Sequence, residues 1–309
     1  MSATTINTPV AEPKPAALRS KTSRDRNRLA SNTFWTLVCT ALSFLTLVPL
    51  FSIVFLVLKE GLPLLTPSVF TDLPPAPGLE GGGFGNAVQG TLVMVALALI
   101  IATPLGLLSA IYICEYSPRS RLSSAVRFIA KLLTGIPSII CGVFAFAVVV
   151  IAMGHFSAIA GGVALAVLTL PTILLTSEQA LLGVPKALRE ASYGVGATRF
   201  QTITRIVLPE ALPAIMTGLM LAVARAAGET APVLFTAQFS FYWLSDFFPN
   251  PVDALSQPTA SLSVLIYNFA TLPYAHQIQM AWTASLVLVI LVTITNITAQ
   301  LVFSKRDRR

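Results

Sequence analysis

The sequence predicts an all-α polytopic membrane protein with six transmembrane helices. Three observations carry this. The 309 residues are 55% hydrophobic and 11% charged, with a mean hydropathy of +0.78, whereas soluble domains are about a quarter charged. Apolar runs of about 20 residues recur, and ~20 residues at 1.5 Å rise cross ~30 Å of hydrocarbon. The basic residues fall in alternate connections between those runs.

The predicted spans are 34–58, 88–113, 132–153, 156–176, 211–237 and 279–303. Together they make one helical domain over 34–303. Residues 1–33 are polar and rich in Pro, Ser and Thr, the composition of a disordered, basic cytoplasmic tail. The first span is too long for a cleavable signal peptide and lacks a small-residue cleavage site, so it reads as an anchor. Residues 304–309 read as a basic cytoplasmic C-terminus.

Charge sets the orientation. Eighteen of the twenty Lys and Arg, all but Lys59 and Arg225, lie in the N-terminal tail, in 119–131, in 186–205 or at the C-terminus. The opposite connections hold only Lys59, and residues 239–278 hold none. Positive-inside bias then places both termini in the cytoplasm. The net charge of +7 is mostly this topology signal, and no nucleic-acid partner is expected.

The three cysteines, Cys39, Cys114 and Cys141, have no metal-ligand spacing and read as small packing residues. No metal site is expected. The connection 59–87 is dense in Pro and Gly, which argues for turns. Its Gly81-Gly82-Gly83 is no phosphate-binding loop, since no Gly-Lys-Ser/Thr follows. Residues 239–278 hold Phe239, Phe241, Tyr242, Trp243, Phe247, Phe248 and Tyr267. They serve either as interfacial anchors or as a docking surface for an extracytoplasmic partner. His155 and His276 both fall in external connections and read as solvated turn residues.

Residues 177–210 are too polar to span. Glu178 to Arg189 has helix formers, Pro185 marks a bend, and Gly194 and Gly196 permit a sharp turn. Ala197 to Val207 then forms a second short helix, ended by Leu208-Pro209. Glu190-Ala191-Ser192, Gly196, Ile206 and Leu208-Pro209 resemble the EAA loop of ABC importer permeases. The one departure is Ser192, a small residue replacing a small residue. The resemblance implies a coupling loop that docks into a separate ATPase. Small side chains at 191 and 192 would allow close approach, and Glu190 would meet an arginine or a helix N-terminus of the partner.

Arg225 and Glu229 lie within the fifth span. An ionisable group at that depth costs roughly 2.5–3.5 kcal/mol on insertion scales, so such groups face protein, water or each other. Their i, i+4 spacing puts them on one helix face, about 6 Å apart along the axis. Two readings stand. The pair fixes helix packing, or Arg225 lines the substrate path, oriented by Glu229, and meets an anion whose geometry suits a guanidinium fork. Ala226, Ala227 and Gly228 leave one face small enough for close contact or a narrow channel.

The run Arg225-Ala-Ala-Gly-Glu-Thr-Ala-Pro-Val-Leu-Phe-Thr-Ala237 resembles the fifth-helix signature of PstA-type permeases of phosphate-specific ABC transporters. Gly135-Ile136-Pro137-Ser138 with Gly142, and Leu170-Pro171 with Thr176-Ser177-Glu178, resemble further stretches of the same permeases. The likeness covers about 85–237. Members often carry Arg at the position of Leu175. The cytoplasmic end of the path here would instead rely on Lys131, Arg189 or the partner permease.

The resemblance implies a subunit of an ATP-driven importer of inorganic phosphate. Its partners would be a PstC-type permease, a PstB-type ATPase dimer carrying ATP and Mg, and an extracytoplasmic PstS-type phosphate-binding protein. The chain itself would be no enzyme, would bind no cofactor, and would sit among lipids of the cytoplasmic (inner) membrane. Two permease chains are needed, as a heterodimer or a homodimer. The alternative cargo is another oxyanion: molybdate, sulfate or phosphonate. An intramembrane enzyme would need a nucleophile and base at one depth, which two external histidines do not supply. A signalling scaffold would leave the coupling loop unexplained.

Overall fold

The computed structural model describes residues 23–244 and 250–304, and every regular element in them is helical. Tail residues 1–22, Phe247, Phe248 and residues 305–309 lie outside this description. In chain order the helices begin with α1 (Ser23–Gly61), α2 (Ser68–Thr71), α3 (Gly85–Ile111), α4 (Arg121–Gly135), α5 (Ser138–Ala145) and α6 (Ile151–Met153). There follow α7 (Ala158–Gly183), α8 (Lys186–Gly194), α9 (Arg199–Thr202) and α10 (Leu208–Gly228). The last are α11 (Ala231–Leu234), α12 (Pro251–Leu255), α13 (Leu262–Ala270) and α14 (Ala275–Ser304). Among the described residues, five helices are long and apolar enough to cross a membrane, or six if the bent α4–α6 pair is one span.

Helix α1 starts earlier than its polarity suggests, and residues 23–33 are helix rather than disordered tail. They contain no Pro or Gly. A helix nucleated in the apolar run therefore extends outward, gaining a hydrogen bond per residue with no new nucleation cost. Described residues 23–55 belong to a unit of their own. Phe34, Trp35, Phe44, Phe51 and Phe55 are all exposed, as lipid-facing side chains are.

The second unit runs from Leu56. Helices α3, α7 and α10 make its centre. Along α3 the buried stripe reads Gly90, Met94, Ala98, Ala102, Gly106, Ala110, one residue every fourth position. Most are Gly or Ala, so α7 comes close. A Cβ on Gly106 would lie 2.9 Å from Ile173, and one on Gly161 only 2.5 Å from Met94 Sδ. In lipid, such close packing replaces the hydrophobic effect as the force joining helices. Gly218 brings α10 against Thr176 of α7 in the same way. Helix α14 packs on α10 and on α13.

The third predicted span, 132–153, is not one helix. Helix α4 ends at Gly135, Ile136 is extended (ψ 134°), and α5 departs at 106°. Pro137 causes this: its ring excludes the α region for the residue before it. A π-turn at Phe146–Val150 then joins α5 to α6. Gly154 (φ +78°) closes the expected tight hairpin into α7, with His155 exposed beside it.

The described part of the external connection 239–278 includes two short helices, α12 and α13. Ser261 caps α13 by accepting from the Val264 N–H, and Leu262, Val264, Leu265 and Phe269 are buried. Phe239 packs into the core and meets Phe241 edge-on at 4.9 Å, while Tyr242 and Tyr267 are exposed. Asn86 fastens this region to α3 by donating to the Ser240 carbonyl at 2.8 Å. His276 is no free turn residue either. It sits in the first turn of α14, its Nε2 3.1 Å from the Gly81 N–H.

Candidate functional site

The polar connection expected over 177–210 is shorter. Residues 177–183 complete α7, since nothing between Pro171 and Gly183 breaks a helix and Glu178 is paired. Leu208-Pro209 does not end a helix. Pro209 stands in the first turn of α10, where no N–H donor is needed, behind a π-turn at Ile203–Val207. The connection between α7 and α10 is therefore 184–207.

Within it, α8 and α9 fold back on each other across Gly196, whose φ is +83°. Only glycine takes that conformation without a Cβ penalty. Thr198 and Gln201 form a capping box at the start of α9. Ser192 Oγ and Thr202 Oγ1, 2.9 Å apart, join the two helices. Glu190, Ala191, Gly196 and Pro209 are exposed, Leu208 is half-buried and Ser192 is buried. Leu188, Tyr193, Val195 (85% exposed) and Phe200 (66% exposed) surround them. These are large apolar side chains exposed on a polar connection.

The root of the segment is held by charge. Arg189 donates to Glu115 Oε1 through Nη2 at 2.8 Å and through Nε at 3.3 Å. It also donates to the Val184 carbonyl at 2.5 Å and the Leu181 carbonyl at 2.7 Å. Arg199 donates to the Glu115 carbonyl and lies over the Tyr116 ring, 5.2 Å from its centre. Arg127 pairs with Glu178 and donates to the carbonyls of Ile113 (2.9 Å) and Pro118 (3.2 Å). Arg189 is thus committed to structure, and Lys131, exposed on α4, is the open cation of the two expected near an anion path. Leu175 is half-buried, packed on the Ile113, Ala130 and Leu174 cluster. Sequence reasoning did not find Glu115 or Arg127. Their only signal was a carboxylate and a guanidinium at the polar ends of apolar runs.

Arg225 and Glu229 are brought together, but not in mid-helix. Helix α10 ends at Gly228, and Glu229 is extended (ψ 126°) before α11 begins. Pro232 enforces the break, because in a continuous helix its ring would meet the carbonyl of Gly228. The freed Glu229 carbonyl accepts from Ser263 Oγ at 2.9 Å. Arg225 Nε lies 3.4 Å from Glu229 Oε1, with the side chains 38% and 17% exposed. Helix α11 packs so tightly on α5 that a Cβ on Gly142 would lie 2.8 Å from Pro232 Cα. The middle of α5 therefore packs against the start of α11, three residues beyond Glu229.

A cavity of about 440 Å³ lies between α3, α10 and α14. Val223 and Ala227 line it, two residues on either side of Arg225 and so on the opposite face of α10. Its lining carries no charge. An uncharged lining does not suit an anion, which leaves the Arg225–Glu229 junction as the candidate.

The family model for binding-protein-dependent transport system inner membrane components matches residues 102–308. A phosphate transport system permease protein PstA of Yersinia pestis is 39% identical over 254 residues, 82% of this chain and 83% of that one. The phosphate transport system permease protein PstA 1 of Mycobacterium tuberculosis is 35% identical, covering 100% of this chain and 97% of its own. Among solved structures, a bacterial ABC transporter involved in import of the acidic polysaccharide alginate aligns with a TM-score of 0.61 at 18% identity. It covers 91% of this chain and 99% of that chain. That last likeness speaks for the fold alone.

Proposed function

Because the chain belongs to the family of binding-protein-dependent transport system inner membrane components, and within it to the PstA-type permeases, we propose that it conducts inorganic phosphate as one permease subunit of an ATP-driven importer. It sits in the cytoplasmic membrane with both termini inside. A PstC-type permease completes the path, a PstB-type ATPase dimer with ATP and Mg binds the 184–207 segment, and a PstS-type protein delivers phosphate from outside. The chain supplies the lever and the path and contributes no cofactor.

The observation that carries this reading is the fold of 184–207: two short helices, turned at Gly196, that present Glu190, Ala191, Val195 and Phe200 to a partner. At the other end of α10, Arg225 offers its guanidinium beside a broken helix. Phosphate keeps a proton near neutral pH, and ionised Glu229 can accept it in a hydrogen bond. Sulfate has no such proton and is repelled. Closure of the ATPases moves 184–207, and the path opens to the other side.

The test is ATP-dependent uptake of labelled phosphate into proteoliposomes holding this chain with its partner permease, ATPase and binding protein. Wild type takes up phosphate, and Arg225→Ala, assembled to the same extent, does not. Equal uptake by both moves the anion path to the partner permease. Uptake of sulfate or molybdate in place of phosphate overturns the cargo.

A further inference from the structure

We infer that the turn at Tyr112–Tyr116, which carries Glu115, is where movement of the coupling segment passes into the membrane-spanning helices, making Glu115 the positioning residue of the lever. This rests on the proposed docking of an ATPase on 184–207.

The turn ends α3 as a π-turn, so its carbonyls are freer than those of an α-helix to accept outside donors. Three arginines from three elements converge on it and its flanks. Arg189 of α8 grips the Glu115 carboxylate, Arg199 of α9 grips the Glu115 carbonyl and the Tyr116 ring, and Arg127 of α4 grips the Ile113 and Pro118 carbonyls. Each half of the coupling segment is tied to this turn by its own arginine. Arg127 extends the tie to Glu178 of α7 and, through α4, to the bent helix α5 beside the Arg225–Glu229 junction.

Glu115 is 8% exposed. A charge pair so placed is held by geometry rather than screened away, and shearing it leaves a guanidinium without its carboxylate. The coupling segment and the end of α3 therefore move as one body. A flexible connection at this point would let the ATPase turn over without moving the path.

The test uses the assembled complex in proteoliposomes and reads phosphate taken up per ATP hydrolysed. Glu115→Gln keeps the shape and removes the charge. The expected result is normal assembly and ATP hydrolysis with uptake per ATP lowered about tenfold, while Glu115→Asp, which keeps the charge, largely retains the wild-type ratio. An unchanged ratio in assembled Glu115→Gln overturns the inference. If that variant does not assemble, Arg189→Gln replaces it: Glu115 is unchanged, its charge contact with residue 189 is lost, and the same fall is expected.

A second readout needs no cargo. Spin labels at Leu108 on α3 and Gln201 on α9, in a chain with its cysteines replaced, keep one distance with and without ATP in wild type and broaden in Glu115→Gln. A wild-type distance that changes with ATP overturns the rigid tie. Failure of wild type to take up phosphate while that distance holds counts against the cargo and leaves the tie standing.

Discussion

Ser192 Oγ lies 2.9 Å from Thr202 Oγ1, so the residue at which this chain departs from the EAA pattern is a clasp between α8 and α9. In sequence the exchange looked like a change of one small side chain for another. In the structure it adds a hydrogen bond across the turn that displays Glu190 and Ala191. Removing it leaves Thr202 Oγ1 still bonded to the Thr198 carbonyl at 3.1 Å. Ser192→Ala should therefore cost only about 1 kcal/mol. Hydrogen exchange of amides 186–207 should speed up by a corresponding factor, with phosphate uptake retained.

Gly196→Ala tests the turn itself. Nothing lies within 4 Å of an added Cβ, so the cost is backbone strain at φ +83° and not a clash. About 1 kcal/mol is expected. ATPase binding to the assembled permease, measured by titration, should weaken several-fold while the membrane helices keep their thermal stability.

Glu229→Gln separates path from packing. The pair touches through Nε and Oε1 at 3.4 Å and is partly open, and the break it occupies is held by Ser263 and Pro232 rather than by charge. The variant should assemble normally. A charge-assisted hydrogen bond is worth about 1.5–3 kcal/mol, so competition uptake should show the preference for phosphate over sulfate falling by about tenfold or more. Loss of assembled complex, rescued by exchanging the two charges, would instead mark the pair as structural.

Gly90→Ala should damage folding far from either site. The new Cβ would lie 2.0 Å from the Ala260 carbonyl oxygen, and a backbone atom has little room to yield. Overpacking of this kind costs about 1–3 kcal/mol. The melting temperature of the purified subunit should drop, while Gly183→Ala, with nothing within 4 Å of its added Cβ, leaves it unchanged.

Much was legible in the residues. The helical class, the spans other than the third and the fifth, and the turn at Gly196 follow from composition, run length and glycine placement. These signals are local or additive along the chain. In the tail, polarity does not mean irregular backbone: residues 23–33 are helical, because a helix persists wherever its backbone bonds continue. Conversely, apolar runs were taken for unbroken helix across Pro137 and Pro232.

Tertiary structure alone decided where charge is spent and where a break survives. Glu115 and Arg189 are 74 residues apart, and Arg127 and Glu178 are 51 apart. No periodicity in either segment encodes the choice of partner. A helix interrupted in a membrane must find new partners for its freed carbonyls and N–H groups. Ser263, 34 residues from Glu229, supplies one. Composition and periodicity act along the chain, whereas the satisfaction of a buried charge or a freed carbonyl depends on which distant segment folds against it.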